Sequence, residues 1–202
     1  HRDAQVLAEV PTVVVQVVPF AVPFIQLPGI DTILIGDSVL LNPTYSGNPP
    51  FSWQWTPLAP PDWLSCYDCP SPLANPLVTM SYQVSITDGN GCTAADSSAI
   101  VVLPCGLPYV PNIFSPNDDG LNDRFYPLGP DCISKVRYLR IYDRWGELIF
   151  ERTDFPLNIE SLGWDGRYRG KPLGPSVLVW IAEFEFPDRT TVKKYGDVTL
   201  IR

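Results

Sequence analysis

The chain almost lacks histidine: its single copy is His1, at a terminus, where chains are poorly tied down. That excludes Ser–His–Asp and Cys–His nucleophile schemes and most zinc sites. Charge is also sparse, at 18% of residues, with 14 Lys and Arg against 22 Asp and Glu and a pI near 4.5. An acidic balance of this kind excludes nucleic acid and anionic membrane surfaces as partners, since both need a basic patch. No apolar run reaches the roughly eighteen residues of a membrane-spanning helix, because Pro11, Pro19 and Pro23 interrupt the opening hydrophobic stretch. No window of about eleven residues carries a helical period. The start, His1-Arg-Asp3, is polar and has no leader pattern. An exported protein with this start is expected to have lost its signal peptide or to carry it upstream.

What is present points to β-structure. Hydrophobic residues make up 45% of the chain and aromatics 12%, enough for packed cores. The 23 prolines are spread along it among many Val, Thr, Ile and Tyr, a pattern of short strands joined by turns. A length of 202 residues fits one or two domains. The five cysteines, Cys66, Cys69, Cys92, Cys105 and Cys132, suit an oxidising compartment.

Three segments emerge. Residues 1–24 read as an extended apolar arm or a linker, whose centre, Thr12-Val-Val-Val-Gln-Val-Val18, has strong β propensity and no charge. Such a strand is an aggregation hazard unless covered. Residues 25–104 read as an immunoglobulin-like sandwich. In it, Phe51-Ser-Trp-Gln-Trp55 alternates with period two as a central strand, residues 57–76 form a proline-rich loop, residues 78–87 form a longer strand, and Asp88-Gly-Asn-Gly91 makes a tight turn. Residues 105–202 hold about seven further strands and read as a second sandwich, not an obvious repeat of the first. Its clearest hairpin runs from residues 134–142 through Asp143-Arg-Trp-Gly146 to residues 147–151. Residues 177–186 and 192–201 make another strand pair, turning at Pro187-Asp188. The fold class is all-β, with two tandem sandwiches behind a β arm.

Four blocks stand in fixed order in the last segment: Val110-Pro-Asn-Ile-Phe-Ser-Pro-Asn-Asp-Asp-Gly-Leu-Asn-Asp-Arg-Phe125, Ile141-Tyr-Asp-Arg-Trp-Gly-Glu-Leu-Ile-Phe150, Gly163-Trp-Asp-Gly166 and Gly196-Asp-Val-Thr-Leu-Ile-Arg202. Together they resemble the gliding-motility-associated C-terminal domain, the type B sorting domain of the type IX secretion system. The motif positions are Pro111, Asn112, Phe114, Pro116, Asn117, Asp119, Gly120, Asn122, Asp123, Arg144, Trp145, Gly146, Gly163, Trp164, Asp165, Gly166, Gly196 and Arg202. Before Trp180 the chain departs from the family, with Gly174-Pro-Ser-Val-Leu-Val-Trp in place of a glycine–aromatic alternation. The resemblance implies export through the type IX translocon, an extracellular or outer-surface location, and pairing of Cys105 with Cys132. Closing that loop contributes about 3 kcal/mol in the chain-entropy view. Residues 25–104 resemble, more loosely, the PKD-like modules of bacterial adhesins through Gly36-Asp-Ser-Val39, Trp53-Gln-Trp55 and the stretch from Ser81 to Cys92.

Each candidate site has a simpler reading beside it. Glu183 and Glu185 share a strand face, as paired carboxylates for glycoside hydrolysis would. Ala182, Phe184 and Phe186 form the opposite, core-facing side, so the two glutamates read as a solvated face, and the chain as non-enzymatic. Cys66-x-x-Cys69 sits in a proline-rich loop, not at a helix start, so a structural disulfide is expected over redox or zinc chemistry. Three cysteines remain for one bond; Cys69–Cys92 or Cys66–Cys92 is expected over a strained Cys66–Cys69 bridge, with one thiol left free. Asn117, Asp119 and Asp123 offer oxygens for calcium, but with Gly120 at the sixth position an EF-hand fails at Ser115 and Tyr126. Asp and Asn clusters also build turns through side-chain-to-backbone bonds, the preferred reading, and no cofactor is expected. Trp53 and Trp55 share a face and fit either the core or a sugar-stacking platform; core is expected. Trp145 and Trp164 are expected to pack loops onto the sheet. The arm, through Val13, Val15 and Val17, is a candidate for strand donation to another copy, building a filament. The adhesin reading comes first, the filament second and a carbohydrate-binding module third.

Overall fold

The computed structural model describes residues 22–59 and 63–202. The arm, with Val13, Val15 and Val17, lies outside the described residues except at its end, where Phe24 already opens the first strand. Among the described residues the only helix is a single 3-10 turn, Glu160–Leu162, and no helix is long and apolar enough to cross a membrane.

The first module has eight strands: β1 (Phe24–Gln26), β2 (Asp31–Leu34), β3 (Val39–Leu40), β4 (Thr44–Ser46), β5 (Ser52–Pro57), β6 (Leu73–Ala74), β7 (Met80–Thr87) and β8 (Thr93–Leu103). One layer is the sheet β2-β8-β7-β5; the other is made by β1 with β4 and β3 with β6. Alternation along β7 buries Met80, Tyr82, Val84 and Ile86, which meet Trp55, Ile100, Ile25 and Leu41 in one core. Each large side chain buried there contributes about 1.5–3 kcal/mol. The Phe51–Trp55 stretch was expected as a central strand, but β5 is the sheet's edge. Alternating tryptophans report the depth of one face, not a strand's rank in the sheet. The proline-rich loop covers that edge: the Trp55 backbone N–H donates to the Tyr67 carbonyl at 2.8 Å, and the indole N–H to the Cys69 carbonyl at 2.8 Å.

The second module has seven strands: β9 (Ile113–Phe114), β10 (Lys135–Tyr142), β11 (Leu148–Phe155), β12 (Arg167–Tyr168), β13 (Lys171–Pro172), β14 (Ser176–Glu185) and β15 (Thr191–Leu200). Its main sheet runs β11-β10-β14-β15-β9. The opposing layer is slight: the β12–β13 ribbon and the loop segments carrying Phe125, Ile133, Leu157 and Trp164. The two modules share a sheet plan that their sequences hide. In each, the chain's last long hairpin (β7–β8, β14–β15) lies central, and a short early strand (β2, β9) adds in parallel to the hairpin's last strand. An earlier strand (β5, β10) flanks the hairpin's other side. This is the immunoglobulin-like plan, used twice.

Candidate functional site: the convergence of the C-terminal motif

The first, third and last motif blocks meet in the second module, and the second reaches them through Phe150, whose ring centroid lies 6.4 Å from that of Trp164. Phe114, on β9, packs on Trp164 with ring centroids 5.2 Å apart and on Phe125 at 5.8 Å; Phe125 in turn meets Trp180 at 6.3 Å. Phe125 and Trp164 exchange both backbone N–H···O bonds at 2.9 Å, an isolated bridge between the first and third blocks. Trp164 is 1% exposed, and its indole N–H donates to the Arg167 carbonyl at 2.8 Å.

Glycines make this closeness sterically feasible. A Cβ at Gly163 would stand 2.9 Å from the Phe125 carbonyl oxygen. Gly166 has φ +72°, and a Cβ there would stand 2.7 Å from Pro116 Cγ and 3.2 Å from Leu200 Cδ1. Gly196 lies flat beneath the Trp180 indole, which leaves 3.1 Å for a Cβ. The chain's last residue closes the cluster: the Arg202 guanidinium donates to the carbonyls of Leu173 at 2.9 Å, Pro116 at 3.2 Å and Gly166 at 3.5 Å. Pro116, Asp118, Asp123, Arg124, Asp165, Arg167 and Arg202 line a small polar cavity beside it.

The Asp/Asn cluster spends its oxygens on backbone. Asp123 accepts N–H groups from Asn117 at 2.9 Å, Asp118 at 2.7 Å and Gly120 at 2.7 Å. Asp119 accepts from Leu121 at 2.8 Å and from the Asn117 side chain at 2.9 Å, and Asn117 Oδ1 accepts the Asp119 N–H at 3.1 Å. Desolvation pushes the Asp123 carboxyl up, but the backbone donors of Gly120, Asp118, Asn117 and Asp119 outweigh it and hold it below the ordinary range. Asp118 and Asn122 carry positive φ, of 62° and 53°, which this winding loop requires. These are the side-chain-to-backbone bonds of a wound turn. Among the described residues no group of three or more His, Cys, Asp or Glu gathers to hold a metal.

Several expectations need correction. Cys66 is bonded to Cys69, with Cα atoms 6.0 Å apart, and Cys92 is free, so neither bond expected to Cys92 forms. The reason is placement: Cys92 sits at the β7–β8 turn, where its N–H donates to Asp88 at 3.0 Å, while the loop of Cys66 and Cys69 folds over the β5 edge beside Trp55. Cys105 and Cys132 are bonded, with Cα atoms 5.8 Å apart. Glu183 is not on a solvated face: it is 9% exposed, flanked by Arg137 at 3.7 Å and Lys193 at 3.8 Å, and accepts from the Thr191 hydroxyl at 3.4 Å. A cross-strand ladder of opposite charges covers it. Trp145 does not pack: it is 82% exposed at the tip of the β10–β11 turn. Asp143 and Gly146 build that turn, Asp143 Oδ1 accepting the Trp145 and Glu147 N–H groups, while the Arg144 guanidinium lies 5.5 Å over the Trp145 ring. Trp55 is 2% exposed and Trp53 half-buried against Tyr45, so neither forms a flat exposed platform.

Residues 109–200 match the family described as CHU_C Type IX secretion signal domain. No curated protein matches the chain. Among solved structures, it is similar to Sidekick-1 immunoglobulin domains 1–5, with 11% identity and a TM-score of 0.45 over 89% of this chain and 39% of that one. It is also similar to mouse Cadherin-23 EC22-24, with 11% identity and a TM-score of 0.38 over 89% and 66%. At such scores the fold assignment rests on the strand order described above. The C-terminal module is a type IX secretion signal domain, which marks the chain for export out of the cell, and an immunoglobulin-like module precedes it.

Proposed function

We propose that this is a non-catalytic surface protein, in which residues 105–202 bring a binding or building module, residues 25–104, to the outer face of the cell and hold it there. The observation that carries the reading is Arg202, which ties the last block to Pro116 of the first and Gly166 of the third: the signal is a folded, locked module, not a linear tail. The burial of Trp55 and half-burial of Trp53 count against a sugar platform and leave adhesion or assembly as the better-supported roles. Intact-mass measurement of the protein from washed cells and from medium tests surface retention. The expected result is a cell-bound species that includes the second module; recovery only from medium would refute the surface role.

A further inference from the structure

The structure gives nearly every motif residue a packing or hydrogen-bonding role inside the second module. Arg144 and Trp145 are the exceptions. Asp143 and Gly146 would build the same turn around other residues, yet the tip carries a tryptophan almost wholly in water with an arginine stacked on it. Tryptophan and arginine are the residues that most often anchor protein interfaces. The turn is also held firm. Glu147 accepts the Tyr168 hydroxyl at 2.5 Å and the Arg169 guanidinium at 3.3 Å, fixing the β12–β13 ribbon against it.

Among the described residues, the first module lies far from this tip. That module meets the second at the start of β10, where Gly36 packs on Pro187 and residues 34–37 face Cys132 and Ser134. β10 then runs eight residues away from the contact, about 26 Å at a strand's rise, before reaching Arg144.

Charge names the partner. Apart from Arg2, every Lys and Arg of the chain lies at or beyond Arg124. The first module therefore displays carboxylates with no cation of its own to pair them. One of them, Asp68, is exposed on the Cys66–Cys69 loop. Beside that loop, the paired β3 and β6 strands set Leu40 opposite Leu73, both about half exposed, and Ser65 exchanges hydrogen bonds with Leu73 at 2.9 Å. Asp68 stands three residues along the chain from Ser65, so an acidic loop borders the apolar pair, and the two complement an arginine on a tryptophan.

We propose that the Arg144–Trp145 tip of one copy docks on the Leu40–Leu73–Asp68 patch of a second copy, Trp145 covering the two leucines and Arg144 pairing with Asp68. Such a contact is heterologous and repeats head to tail. It stands apart from the export role and from donation of residues 1–24. Sedimentation velocity on the full chain tests it, at about 50 mM salt, where surface charge is least screened. The expected result is mass rising with concentration, lost in Trp145→Ala, in Arg144→Glu and in Asp68→Lys, and restored when the last two variants are mixed. Because all three side chains are exposed, circular dichroism should show each variant folded. Deleting residues 2–18 should leave the association in place. A chain that stays monomeric at millimolar concentration, or variants that associate like the parent, would overturn the proposal, as would association abolished by the deletion alone.

Discussion

Gly166 and Gly170 lie on either side of β12 and make a matched pair for testing how tightly the blocks close. Both have positive φ, of 72° and 77°, but Gly166 has Pro116 Cγ 2.7 Å from the place of a Cβ, whereas nothing lies within 4 Å of one at Gly170. At Gly170, alanine meets only the left-handed backbone, costing about 1–2 kcal/mol and offset by up to about 1 kcal/mol through the stiffer unfolded chain. At Gly166 the same balance applies, and the methyl must also displace the ring of Pro116 in the first block. Overpacking of that kind adds about 1–3 kcal/mol, giving a total near 2–4 kcal/mol. For a unit of this size each kcal/mol moves the midpoint by about 4–8 °C. Scanning calorimetry of the full chain should therefore show the second-module transition falling by roughly 10–25 °C in Gly166→Ala and by about 5 °C in Gly170→Ala. Equal shifts would refute the claim that the first and third blocks are in steric contact through Gly166.

Asp123 titrates below its ordinary range, so the stability it lends the opening loop is fully present above about pH 4 and is lost as pH falls through the lowered folded value. Amide exchange at Asn117, Asp118 and Gly120 should rise over that acid range, and Asp123→Asn should already show fast exchange at neutral pH. Cys105 and Cys132 are separated by 27 positions, so the Cys105→Ser, Cys132→Ser double variant should lose about 3–4 kcal/mol in chemical denaturation. The corresponding change at Cys66 and Cys69, three positions apart, should cost much less, because so short a loop constrains the unfolded chain little. Added polysaccharide should leave the tryptophan fluorescence of the first module unchanged, since Trp55 is buried and donates to Cys69; quenching with a matching blue shift would revive the sugar-platform reading.

Much of the second module was legible because its long hairpins announce themselves. Residues 134–151 and 177–201 alternate apolar and polar positions around turns whose residues tolerate positive φ, and the strands β10, β11, β14 and β15 lie where that pattern puts them. The β2 and β9 strands were not legible: four and two residues long, they pair in parallel across great sequence distance, which local periodicity does not record. For the same reason the shared sheet plan stayed hidden. The glycine and aromatic blocks pointed to a compact closure, but the role of Arg202 is visible only when Leu173, Pro116 and Gly166 present their carbonyls to it. Cys92 misled because spacing cannot say which end of a strand pair a turn occupies. Trp145 misled because tryptophan usually packs. The ion pairs over Glu183 needed the β10–β14–β15 register, in which Lys193 stands opposite Glu183.

The central claim is that the C-terminal module carries this chain out of the cell. Its most direct test is to produce the full chain, and a chain lacking residues 105–202, in cells with working type IX machinery and in cells without it, and to probe each by protease accessibility. The account predicts an external protein only for the full chain in the competent cells. External protein from the shortened chain, or from the full chain where the machinery is absent, would contradict it.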